Sequence, residues 1–126
     1  MKILYIEDNL TMAFLVDTIL RNRGYEVEHF ELGKPGMKGF YQDIQGWDAV
    51  IIDLDLPDVS GQSLIPEIIA QRPNLPIVVY SGASGLKERF ELYTAGASAV
   101  LSKPTAAQDL LDVLKSLIET PPEPIG

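Results

Sequence analysis

Ala49-Val50-Ile51-Ile52-Asp53-Leu54-Asp55-Leu56-Pro57 runs from four consecutive apolar residues straight into carboxylates. Four small or β-branched apolar residues without polar alternation suit a strand covered on both faces, the pattern of a parallel sheet. In open α/β sheets, ligands bind beyond the carboxyl ends of such strands. Asp53 therefore stands where chemistry is expected. A lone Asp has a plainer reading, because acidic residues also begin turns and cap helices. The rest of the chain decides between the two.

Working outward toward the N-terminus, Ile3–Ile6 reads as a short apolar strand. Asn9 then offers an N-cap to a helix with Met12, Leu15, Val16 and Ile19 on one stripe, closed at Gly24. Tyr25–Phe30 alternates apolar and polar side chains, as an edge strand does. Gly33, Pro35, Gly36, Gly39 and Gly46 all disfavour helix, so only a short one is expected, from Met37 to Ile44. Toward the C-terminus, a Pro-Asp turn leads into a helix over Gly61–Gln71, with Leu64, Ile65, Ile68 and Ile69 inward and Pro66 near its start. Pro76–Tyr80 is a fourth strand, Leu86–Thr94 a helix ended by Gly96, and Ala97–Ser102 a fifth strand. Thr105 and Gln108 form a capping box for a last helix carrying Ala107, Leu110, Leu111, Leu114, Leu117 and Ile118. Five strand–helix units imply α/β architecture, a parallel sheet with helices on both faces.

Composition narrows the function classes. At 126 residues, with 46% hydrophobic and 22% charged side chains, the chain fits one domain with a real core, residues 1–119, followed by a Pro-rich tail or linker, residues 120–126. A net charge of -8 argues against binding nucleic acid or anionic membrane surfaces. Cysteine is absent and His29 is the only histidine, which removes thiol chemistry, thiolate zinc sites and multi-histidine metal sites. Nothing resembles a signal peptide or membrane span, so a cytoplasmic location is expected.

The polar residues at the strand ends share one rim. Glu7-Asp8 follow the first strand, Asp53 ends the third, Ser81 follows the fourth and Lys103-Pro104 the fifth. Singly each is ordinary: an acidic pair before a helix, a turn serine, a surface lysine. Together, three carboxylates repel one another unless a hard divalent cation with oxygen ligands joins them. The chemistry suited to this set is phosphoryl transfer to a carboxylate. Asp53 supplies the nucleophilic oxygen, Asp8 and Asp53 hold Mg2+, Lys103 contributes positive charge and Ser81 a hydrogen bond.

These residues resemble those of response-regulator receiver domains of two-component signalling. The match comprises Glu7-Asp8, Asp53 within Ile51-Ile52-Asp53-Leu54-Asp55-Leu56-Pro57, Gly61, Ser81 and Lys103-Pro104, in the right order on the right elements. The resemblance covers Lys2 to about Glu119. It implies a flavodoxin-like (CheY-like) doubly wound fold with strand order 2-1-3-4-5. It also implies that Asp53 accepts phosphate from a sensor histidine kinase or histidine phosphotransfer protein. The backbone carbonyl of Asp55 would complete the Mg2+ ligands, Glu7 would act on the ion through water, and Lys103-Pro104 would be a cis peptide. Homodimerisation through the fourth helix, fifth strand and fifth helix is implied by the same resemblance. So is a downstream output domain, although a single-domain regulator fits the tail equally.

One position departs from the family pattern. Val100 stands where an aromatic switch residue is usual, three positions before Lys103. A short β-branched side chain cannot make a large rotation, and its plain reading is a core strand residue. Two rival functions follow from the same residues. One is a degenerate receiver that acts as an interaction module without phosphorylation. The other is a haloacid-dehalogenase-type phosphatase using Asp53-Leu54-Asp55, disfavoured because that family places its nucleophile after the first strand.

Overall fold

The computed structural model describes residues 1–82, 86–103 and 107–119. Among these residues the order is β1 (Lys2–Ile6), α1 (Leu10–Asn22), β2 (Glu26–Phe30), α2 (Gly33–Gln42), a 3-10 turn (Ile44–Gly46), β3 (Ala49–Ile52), α3 (Gly61–Gln71), β4 (Ile77–Ser81), α4 (Leu86–Ala95), β5 (Ala99–Ser102) and α5 (Ala107–Ile118). The five strands form one parallel sheet in the order β2-β1-β3-β4-β5, the doubly wound α/β arrangement the sequence implies. Thr105, Pro104 and residues 120–126 lie outside the described residues, and with them the expected capping box, cis peptide and tail.

Alternate strand residues face two apolar layers, because successive side chains on a strand point to opposite faces. Leu4, Ile6, Val50, Ile52, Ile77, Val79 and Val100 pack with Met37 and Phe40 of α2, Leu64, Ile65 and Ile68 of α3, and Leu92 of α4. Ile3, Tyr5, Ala49, Ile51, Val78 and Tyr80 pack with Ala13, Val16 and Leu20 of α1 and Leu110, Leu111 and Leu114 of α5. All four residues of β3 are buried, as their uninterrupted apolar run requires.

The structure corrects the expected face of α1. Ala13, Val16 and Leu20 are buried and Met12 and Ile19 only partly so, whereas Leu15 is exposed. Apolar residues nearly encircle this helix, so periodicity could not choose its inner face; small Ala13 lies against the sheet instead. The Asn9 cap is as expected, its Oδ1 accepting the Met12 N–H at 3.0 Å, and Gly24 follows the helix with φ +88°.

A second correction concerns α2, which starts four residues before the expected Met37 and ends at Gln42. Its glycines are contact positions. A Cβ on Gly36 would lie 2.6 Å from Ile6 Cδ1, and one on Gly39 2.4 Å from Phe30 Cζ. Close packing on β1 and β2 thus offsets the poor intrinsic propensity of these residues. Pro35 falls in the first turn, where a missing N–H costs little.

Candidate functional site

Strand register assembles the rim. Ile6 pairs with Phe30 on one side and Ile52 on the other, so Glu7 and Asp53, each one residue further, emerge side by side. This is where the chain order reverses about β1, the crevice that doubly wound sheets use for ligands. Ile52 pairs with Val79, and β4 runs two residues further to Ser81, level with Leu54. Ser81 pairs with Ser102, placing Lys103 next in line. Lys103 extends that pairing, its backbone N–H donating to the Ser81 carbonyl at 2.6 Å.

The side chains of Glu7, Asp8, Asp53, Ser81 and Lys103 converge here. Asp53 is 6% exposed. Its Oδ1 accepts from the Ser81 hydroxyl at 2.7 Å and the Asp55 N–H at 3.2 Å, while its Oδ2 accepts from Lys103 Nζ at 3.2 Å. Lys103 Nζ also donates to Glu7 Oε1 at 2.5 Å. Glu7 is fully buried, and its Oε2 accepts the Asn9 N–H at 3.3 Å. Asp8 is exposed on the outer side. The side chain of Asp55 is exposed, and its contribution to the contacts around Asp53 comes from the backbone.

Two pKa shifts run in opposite directions. Burial above all, and then the hydrogen bond with Asp53, pushes Glu7 up to about 7, against the pull of Lys103. Burial also opposes ionisation of Asp53, but Glu7, the Ser81 hydroxyl, the Asp55 N–H and the Lys103 charge hold it below the usual carboxylate range. Of the two acids, Glu7 is the weaker and Asp53 the one whose surroundings favour the ionised form. An ionised carboxylate is the form a nucleophile needs.

The donor set fits a hard divalent cation. One carboxylate oxygen from each of Glu7, Asp8 and Asp53 lies within 4.8 Å of the others. All are oxygens, and exposed Asp8 leaves the outer side open to the waters that Mg2+ usually retains. Gly61 secures the loop beyond β3. A Cβ there would lie 2.2 Å from the Asp53 carbonyl oxygen, and the Gly61 N–H donates to the Leu54 carbonyl at 2.9 Å. Asp55 and Ser60 form an antiparallel bridge across the same loop.

Two contacts at the site were not legible in the sequence. His29 on β2 donates from Nε2 to the Glu7 carbonyl at 2.7 Å, tying the edge strand to the rim. Asp58 reaches across to the start of α2. The Pro57-Asp58 dipeptide signals a turn, but nothing in it reveals a partner more than twenty residues away.

Val100 is a buried residue of the apolar layer that also holds side chains of α2, α3 and α4. Its backbone, on the outer edge of β5, is covered by α4: its N–H donates to the Tyr93 hydroxyl at 3.2 Å and its carbonyl accepts from Arg89 at 3.0 Å.

The family model for the response regulator receiver domain matches residues 3–115. The cell cycle transcriptional regulator CtrA of Caulobacter vibrioides is 26% identical over 118 residues, covering 94% of this chain and 50% of that protein. The chain spans about half the length of the curated relatives it matches. A response regulator receiver domain from Clostridium thermocellum superposes with TM-score 0.87 at 29% identity, over 94% of each chain. A response regulator from Burkholderia pseudomallei, solved with a phosphorylated aspartic acid, calcium ion and citrate, gives TM-score 0.81 at 25% identity, over 94% of this chain and 68% of that one.

Proposed function

The chain belongs to the response-regulator receiver domain family, and on that premise we propose that Asp53 accepts a phosphoryl group from a phosphohistidine in a Mg2+-dependent reaction. The donor is a sensor histidine kinase or a histidine phosphotransfer protein. As a receiver of two-component signalling, the chain is a signalling module and not a classical enzyme.

An Asp53 carboxylate oxygen attacks phosphorus, the phosphorus–nitrogen bond breaks, and the departing imidazole keeps the electron pair. The product is an acyl phosphate on Asp53. Lys103, now shared between Glu7 and Asp53, offsets negative charge on the phosphoryl oxygens, and the Ser81 hydroxyl donates to one of them. Glu7 positions the Lys103 ammonium from the interior. Asp8, Asp53 and the Asp55 carbonyl would hold Mg2+ directly, with Glu7 acting through water, and the ion would supply further positive charge where the transferring group gathers it.

The observation that carries this reading is the state of Asp53: buried, held ionised, and flanked by Ser81 and Lys103 from two adjacent strands. The phosphorylated aspartic acid in the Burkholderia relative supports the same chemistry. Residues 1–119 act as the receiver and 120–126 as a C-terminal tail or linker, in a cytoplasmic protein able to pair through α4, β5 and α5. The test is beryllofluoride with Mg2+, followed by amide NMR. Wild type should shift at Asp53, Ser81 and Lys103, and the shifts should vanish with Asp53→Ala or on chelation. An unchanged wild-type spectrum would favour an interaction module that works without phosphorylation.

A further inference from the structure

We propose that Asp58 is a positioning residue for the metal-binding loop, holding the Asp55 carbonyl in place by clamping the β3–α3 loop to the start of α2. This deepens the proposed function and rests on it. Three contacts define the clamp. Asp58 Oδ1 accepts the Gly33 N–H at 2.9 Å and the Val59 N–H at 3.0 Å, and Oδ2 accepts the Lys34 N–H at 2.8 Å. Leu32, the N-cap residue of α2, provides no side-chain cap of its own. The orphan donors at the head of α2 are therefore satisfied from a loop 24 and 25 residues away in sequence.

That loop is the one that carries Asp55. Its inner end is tied by Gly61 N–H to the Leu54 carbonyl and by the Asp55–Ser60 bridge. Its outer end is tied by Asp58 and by the packing of Val59 over Gly33, where a Cβ would lie 2.4 Å from Val59 Cγ2. Only Leu56 and Pro57 separate Asp58 from Asp55, too few for the outer end to shift without moving the carbonyl. Hydrogen bonds to a ligand's supporting frame set metal affinity in this way, without touching the ion.

The experiment compares wild type, Asp58→Ala and Asp58→Asn by Mg2+ calorimetry, amide exchange and phosphorylation rate across Mg2+ concentrations. Asp58→Ala should weaken Mg2+ binding about tenfold, speed exchange at Asp55 and Ser60 as well as at Gly33 and Lys34, and keep a near-normal rate once Mg2+ saturates. Asp58→Asn, which retains an acceptor, should restore part of the affinity. If Asp58→Ala speeds exchange at Gly33 and Lys34 alone and binds Mg2+ like wild type, Asp58 is only a helix cap and the proposal is overturned. Failure of wild type itself to bind Mg2+ would instead remove the functional reading beneath it.

Discussion

Glu7 is the residue whose surroundings depart furthest from those of a surface acid. It is fully buried, yet it sits beside Lys103 and Asp53. Its folded-state pKa of about 7 lies above its ordinary 4.5, so between these values the folded protein binds more protons than the unfolded chain. Stability from this group is present in full below 4.5 and is lost as pH rises through about 7. Glu7→Gln should flatten that window: in urea melts of the metal-free protein, the decline in stability between pH 5 and pH 8 should shrink. An unaltered slope would place the proton elsewhere. Asp53 has the opposite sign, its contribution being present above its ordinary 3.8 and lost as pH falls. Five rim positions were legible in the sequence because each follows an apolar strand. The raised pKa of Glu7 was not, since it depends on burial and on the side chains of Asp53 and Lys103, which follow two other strands.

At the scale of elements, α2 marks the limit of reading a chain by propensity. Gly36 and Gly39 look like helix breakers, and in this helix they are where Ile6 and Phe30 pack. Two effects compete on substitution. Gly39→Ala would gain about 1 kcal/mol of helix propensity, whereas forcing a methyl group into the Phe30 ring costs about 1–3 kcal/mol. The contact should prevail, because the ring meets the added Cβ at three of its atoms within 3.2 Å. Chemical denaturation should therefore show Gly39→Ala less stable than wild type; a more stable variant would mean that Phe30 yields freely. The face of α1 was illegible for a different reason, as apolar side chains surround that helix and only packing selects Ala13, Val16 and Leu20. At β5 the side chain of Val100 is core, while Arg89 and Tyr93 of α4 hold its backbone edge. The link between α4 and β5 at this position is thus made to the main chain, with no aromatic ring at residue 100.

For the whole molecule, the two apolar layers fix the site. Because β3 is buried on both faces, a one-residue slip would exchange Ile51 and Ile52 between layers and carry Asp53 away from Ile6, whose carbonyl now accepts the Asp53 N–H at 3.0 Å. The layered α/β class was legible for the same reason, because uninterrupted apolar strands must be covered on both faces, whereas the strand order followed from the family resemblance. Among the described residues no helix is long and apolar enough to cross a membrane, and the net charge of -8 suits a partner with a basic face. This architecture, on the proposed function, prepares one carboxylate for phosphorylation. Intact mass spectrometry after incubation with acetyl phosphate and Mg2+ tests it most directly, on wild type and Asp53→Ala side by side. One added phosphoryl group on wild type and none on the variant is the predicted result; addition to both, or to neither, would contradict it.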